Sequence, residues 1–138
     1  MDTDSQKEFS NALKQLTEKN GVDVIFDPVG GAYSEPALRA IAWKGRYLVI
    51  GFTSSIPSIP LNLALLKGCQ IVGVFWGNFC MREPAVNAAN FQELFSMFEA
   101  GKIKPFVVDT FPLEETATAI EMLANREALG KIAIIIHD

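Results

Sequence analysis

The chain has 138 residues, 49% of them hydrophobic and 20% charged, the size and composition of one ordinary folded domain, which argues against a disordered or fibrous protein. Sixteen acidic and twelve basic side chains give a net charge of -4 with no run of either sign, so nothing in the sequence forms the basic stripe that nucleic acid requires. No apolar stretch approaches the length of a membrane span.

Met1 is followed by Asp2, Thr3 and Asp4, not by a basic and then apolar leader, so no secretory signal is expected. Ser5 and Glu8 have capping-box spacing, and Phe9, Leu13 and Leu16 then recur at helical intervals until Asn20-Gly21, which predicts a helix over 5–19. Residues 22–26 form a β-branched apolar run closed by Asp27-Pro28, where Asp27 is expected to cap backbone amides. Gly30-Gly31 then lead to a helical segment in which Leu38 and Ile41 lie three apart.

Gly45-Arg46 open a second strand, 45–51, followed by a polar, proline-rich connection over 53–60 and a short apolar turn over 61–66. Cys69 precedes a third strand, 70–76, which gives way to Trp76-Gly77-Asn78. Residues 84–100 predict a helix with Phe91, Leu94, Phe95 and Phe98 on one face. Two further strands, 104–111 and 131–136, flank a helix over 113–125 with Ala117, Ile120 and Ala124 facing inward. Cys69, Cys80 and His137 do not have zinc-ligand spacing. The two thiols read as small interior hydrophobes in a reducing cytoplasm.

Continuous Val and Ile strands flanked by helices require a parallel sheet covered on both faces. The fold expected is therefore α/β: half of a doubly wound, Rossmann-type sheet built from strands 22–26, 45–51 and 70–76, plus the two C-terminal strands.

The run Gly21-Val22-Asp23-Val24-Ile25-Phe26-Asp27-Pro28-Val29-Gly30-Gly31 resembles the fourth strand and following turn of the nucleotide-binding domain in zinc-free medium-chain reductases. Gly45-Arg46-Tyr47-Leu48-Val49-Ile50-Gly51-Phe52, Pro60-Leu61-Asn62, Val72-Gly73-Val74-Phe75-Trp76-Gly77, Phe111-Pro112-Leu113-Glu114 and Gly130-Lys131 continue the likeness in order, over residues 8–136. The family it resembles is the NADPH:quinone oxidoreductases, which includes zeta-crystallin-like and enoyl-reductase-like proteins. The resemblance implies a single truncated nucleotide-binding domain, 1–138, without the N-terminal catalytic domain or the glycine-rich pyrophosphate turn. No G-x-G-x-x-G occurs in the chain.

By resemblance the cofactor is NADPH, although Ala128 stands where a related branch has an asparagine near the phosphates, which leaves NADPH against NADH open. The implied cofactor-binding residues are Pro28, Val29 and Gly30 after the first strand, Gly51, Phe52 and Thr53 after the second, Phe75, Trp76, Gly77 and Asn78 after the third, and Lys131 toward the phosphates. Ligands of open parallel sheets lie beyond the carboxyl ends of the strands, which is where the first ten fall. Phe75 and Trp76 also read as core aromatics, and Lys131 as a solvated lysine at a strand start. No catalytic or metal-ligating residue is assigned.

Two readings follow: a partial oxidoreductase, inactive alone or completed in trans by a partner chain, and a non-catalytic dimerisation or scaffold module descended from one. A binding protein for a planar ligand, using Phe52, Phe75 and Trp76, is a third. The resemblance also implies a homo-oligomer, a dimer through strand 71–75, because relatives associate by that strand and a truncated sheet exposes its edges.

Overall fold

The computed structural model describes residues 3–136, so His137 lies outside the described residues. The chain divides into two compact units, Met1–Arg82 and Glu83–Asp138. The first unit contains helix α1 (Thr3–Leu16), strand β1 (Val22–Asp27), a 3₁₀ turn (Gly31–Tyr33), α2 (Ser34–Arg39), β2 (Ile41–Val49), α3 (Asn62–Lys67), β3 (Gln70–Gly73) and α4 (Trp76–Arg82). The second contains α5 (Pro84–Glu99), β4 (Val107–Pro112), a 3₁₀ turn (Leu113–Glu115), α6 (Thr116–Ala124) and β5 (Lys131–Ile135).

The three strands of the first unit form a parallel sheet in the order β1-β2-β3, as apolar strands separated by helices demand. Its register aligns Ile25 with Tyr47 and Ile71, Phe26 with Leu48 and Val72, and Asp27 with Val49 and Gly73. Because side chains alternate along a strand, Ile25, Tyr47 and Val49 share one face. There they pack with Phe9 and Leu13 of α1, Ala37 and Leu38 of α2, and Leu63 of α3 in the hydrophobic core. On the other face Phe26 is 66% exposed and Val24 43%.

Several local expectations are corrected. Helix α1 begins at Thr3, so Ser5 lies in its first turn, and it stops at Leu16 because Glu18 and Lys19 adopt positive φ of 50° and 68°. Gly21, at φ 88°, then runs so close to β2 that a Cβ there would lie 2.7 Å from the Ala42 nitrogen. Ile41 is not helical: it starts β2, four residues before the expected Gly45, and a shifted register between the Val22 and Val24 pairings accommodates Lys44 at φ 62°. Both Leu38 and Ile41 are nevertheless fully buried.

Strand β3 ends at Gly73 rather than at residue 76, and Trp76-Gly77-Asn78 open helix α4 where a loop was expected. In the second unit α6 starts at Thr116, after the 3₁₀ turn. Its inward stripe is Thr116, Ala119 and Met122, with Ala119 buried, while Ala117, Ile120 and Ala124 are exposed. β4 and β5 pair in parallel as a two-stranded sheet.

Candidate functional site

Parallel register places Asp27, Val49 and Gly73 side by side at the carboxyl ends of β1, β2 and β3. The three connections that follow therefore leave the sheet from one row. Backbone bonds join the first two: Thr53 N–H donates to Pro28 O at 3.3 Å, Ser54 N–H to Val29 O at 2.9 Å, and Gly31 N–H to Ser55 O at 2.7 Å. Ile50 and Gly51 both donate to Asp27 O, and Val74 N–H reaches Val49 O at 2.9 Å.

Asp27 organises the first connection. Its Oδ1 accepts from Val29 N–H at 2.9 Å and Gly30 N–H at 2.8 Å. Its Oδ2 accepts from the Ser34 hydroxyl at 2.8 Å and from the Tyr47 hydroxyl. Burial pushes the Asp27 pKa up, but the donors Gly30, Tyr47, Ser34 and Val29 outweigh it and hold the carboxyl below its usual range. Burial, then the bond to Asp27 and its charge, push the Tyr47 hydroxyl well above its ordinary value, with Ser34 pulling the other way. Tyr47 and Ser34 are 2% and 1% exposed, so this polar knot is fixed from beneath by the core.

Gly30 needs its missing side chain. It sits at φ 70° and ψ -147°, a region essentially restricted to glycine, and a Cβ would meet Ser55 O at 2.6 Å. A cleft of about 180 Å³ next to this turn is lined by Asp27, Ser34, Tyr47 and Val49 below and by Phe52, Ile56, Pro57 and Ile59.

The sheet thus brings Pro28, Val29 and Gly30 against Gly51, Phe52 and Thr53, with Phe75, Trp76, Gly77 and Asn78 following the neighbouring strand. Phe75 and Trp76 are 74% and 61% exposed. Asn78 Oδ1 accepts from Arg82 Nε at 3.1 Å, one helical turn on. Lys131 is the first residue of β5 in the second unit, exposed, with its N–H on Phe106 O at 2.8 Å. Sequence reasoning missed Ser34 and Tyr47. Their signal was a tyrosine heading the apolar run 47–50 and a serine seven residues beyond the aspartate.

A nicotinamide ring needs a flat approach to backbone, and two glycines at the strand ends leave room for it: a Cβ on Gly51 would have only Pro28 O nearby, at 3.5 Å, and one on Gly73 nothing within 4 Å. The open strand ends have room for a flat ring against the backbone. No phosphate-binding glycine turn accompanies them in the sequence. Among the described residues no group of three or more His, Cys, Asp or Glu could hold a metal. Nor is any described helix long and apolar enough to cross a membrane.

Parallel strands with a helical layer and a glycine turn at their carboxyl edge define a Rossmann-type α/β protein. A sequence model described as zinc-binding dehydrogenase matches residues 2–134, and the chain belongs to that family. It is 33% identical over 132 residues to a quinone oxidoreductase-like protein 2 homolog of Nematostella vectensis, covering 94% of this chain but 36% of that protein. The chain therefore spans little more than a third of that relative's length. Among solved structures it superposes on the JamJ enoyl reductase in its apo form with a TM-score of 0.77 and 26% identity, over 95% of this chain and 39% of the other. A mycobacterial protein complexed with NADPH shares the fold at a TM-score of 0.79 and 20% identity, over 94% and 41% of the two chains.

Proposed function

We propose that this chain supplies the nicotinamide-side wall of the cofactor site in a zinc-free, NADPH-linked reductase of the quinone oxidoreductase type. The observation that carries this reading is the row Asp27, Val49, Gly73, from which three connections leave the sheet together. Pro28, Val29 and Gly30 form the turn beside the ring, Gly51, Phe52 and Thr53 its backbone floor, and Phe75, Trp76, Gly77 and Asn78 its aromatic flank. Lys131 serves the phosphates. Bound NADPH would supply the hydride; the residues of this chain bind and orient it and shield it from water.

A single truncated nucleotide-binding domain of this kind cannot fix a whole dinucleotide or enclose an acceptor, and loss of orientation costs many orders of magnitude in rate. Residues 1–138 in isolation are therefore inactive, and the remaining walls of the site come from outside them. We place it in the cytoplasm, as a homodimer through β3.

The test is a chimaera in which this chain replaces the matching C-terminal third of the Nematostella relative. NADPH should bind and quench Trp76 in a Trp43→Phe background, with quinone reduction restored, while Gly51→Val, which fills the open side of the floor, should weaken binding about tenfold or more. The isolated chain should bind NADPH more weakly than about 100 μM, which corresponds to roughly 5 kcal/mol. A folded chimaera that binds no NADPH would sink the reading.

The open edges of β1 and β3 and the exposed Phe26 and Val24 favour a second reading, a dimerisation or scaffold module without catalysis. Size-exclusion chromatography separates the oligomer from a 15.1 kDa monomer, and a monomer at micromolar concentration would remove this reading and the homodimer together.

A further inference from the structure

Helices α1, α2 and α3 enclose a second cleft, of about 620 Å³, that includes none of the strand-end segments. The volume lies within the range of small-molecule sites, about 300–1,000 Å³. Its charge is unusual for this protein. Lys7 and Lys14 reach it from α1, Arg39 from α2 and Lys67 from α3, against Glu35 as the one acid in its lining. Four of the twelve basic residues in a chain of net charge -4 thus meet at one place.

The sequence hides this convergence, because the four cations belong to three helices, but the helical period explains it. On α1, positions 7, 11 and 14 fall on one stripe, so Lys7, Asn11 and Lys14 line the same wall. Lys67 occupies the last turn of α3, where a cation suits the helix dipole. Arg39 is held by Glu35 at 2.6 Å and is neutralised there. Among the described residues Lys7 has Asp4 at 4.0 Å, with both side chains mostly exposed, a contact of little worth in water. The cleft is left with uncompensated positive charge.

A second observation points the same way. Ser10, in the wall between the two lysines of α1, is 5% exposed, and its buried Oγ has no hydrogen-bond partner. Buried hydroxyls are nearly always partnered. The Oγ is shut off from solvent in its present rotamer and reaches an acceptor in the cleft only by turning about χ1.

We infer that this cleft binds a soluble phosphorylated small molecule carrying two or more negative charges, through Lys7, Lys14 and Lys67, with Asn11 and, after rotation about χ1, Ser10 as hydrogen-bond donors. Lysine serves such ligands as a mobile point charge. The site is separate from the nicotinamide wall and does not depend on that reading.

Titration of the full chain with inorganic pyrophosphate, followed by calorimetry and by amide shifts of residues 6–14, 39 and 67, tests it. Saturable one-to-one binding is expected, weakened about tenfold in Lys14→Gln/Lys67→Gln through the loss of charged hydrogen bonds. Glu35→Gln, which releases Arg39 toward the ligand, should tighten binding severalfold; because it neutralises an exposed pair, it also decides the matter if the double variant fails to fold. Absence of saturable binding, equal affinity in the variants, or binding to phosphatidylglycerol vesicles with none to pyrophosphate would each overturn the inference.

Discussion

The two faces of the β1-β2-β3 sheet differ sharply. One packs Tyr47, with Ile25 and Val49 partly buried beside it, beneath α1, α2 and α3; the other leaves Phe26 66% and Val24 43% exposed. The strands are nonetheless apolar on both faces, the composition of a sheet sandwiched between two layers. The difference teaches that the strand sequences are written for a two-sided environment, of which the first unit itself carries one side.

That contrast can be broken most directly at its covered face. Leu38 is fully buried in the cluster, and Leu38→Ala should cost about 3 kcal/mol in urea denaturation; a loss under about 1 kcal/mol would mean that the helical layer does not form the core. Tyr47→Phe removes one donor from the Asp27 carboxylate and should cost about 1–2 kcal/mol.

Its pH signature sharpens the test. Asp27 titrates below 3.8 in the folded chain, so its contribution is present above that value and is lost as pH falls through the folded pKa. Tyr47 titrates above its ordinary 10.0, so its contribution is present below pH 10.0 and is lost as pH rises beyond it. Plots of Tm against pH should show a shallower acid limb in the phenylalanine variant and no alkaline loss from this site. Identical limbs in the two proteins would remove the hydroxyl–carboxylate bond from the account.

On the bare face the expected effect is smallest: Phe26→Ser should change stability by no more than about 0.5 kcal/mol while weakening self-association in sedimentation velocity. A large loss of stability there would show that something already covers that face.

Much of this sheet was legible beforehand because its strands are short, mostly apolar runs rich in Val and Ile and opened by glycine. Residues 22–26 and 45–51 carry that signal, and their parallel pairing follows from the helical segment between them. The start of β2 was hidden by Trp43-Lys44-Gly45, where a register shift breaks the alternation on which a strand reading depends. Helix α4 was hidden because Trp76-Gly77-Asn78 reads as a turn and seven residues are too few to show a period.

At the candidate site, positions adjacent to strand ends were readable from order alone. The Ser34 and Tyr47 hydroxyls were not, since only the fold brings them to one carboxylate. The same holds for the cations of the α1–α3 cleft, which share no local pattern in the chain.

The Asp27 knot also limits the chemistry available to this protein. A carboxylate has about four lone-pair sites, and Val29, Gly30, Ser34 and Tyr47 supply four donors to them. Such a group has no free capacity to accept a substrate proton or ligate a cation, and its depressed basicity disfavours both. Any proton needed to complete a reduction beside this turn must come from water or from a side chain elsewhere, so replacing Asp27 would disturb geometry before it touched reactivity.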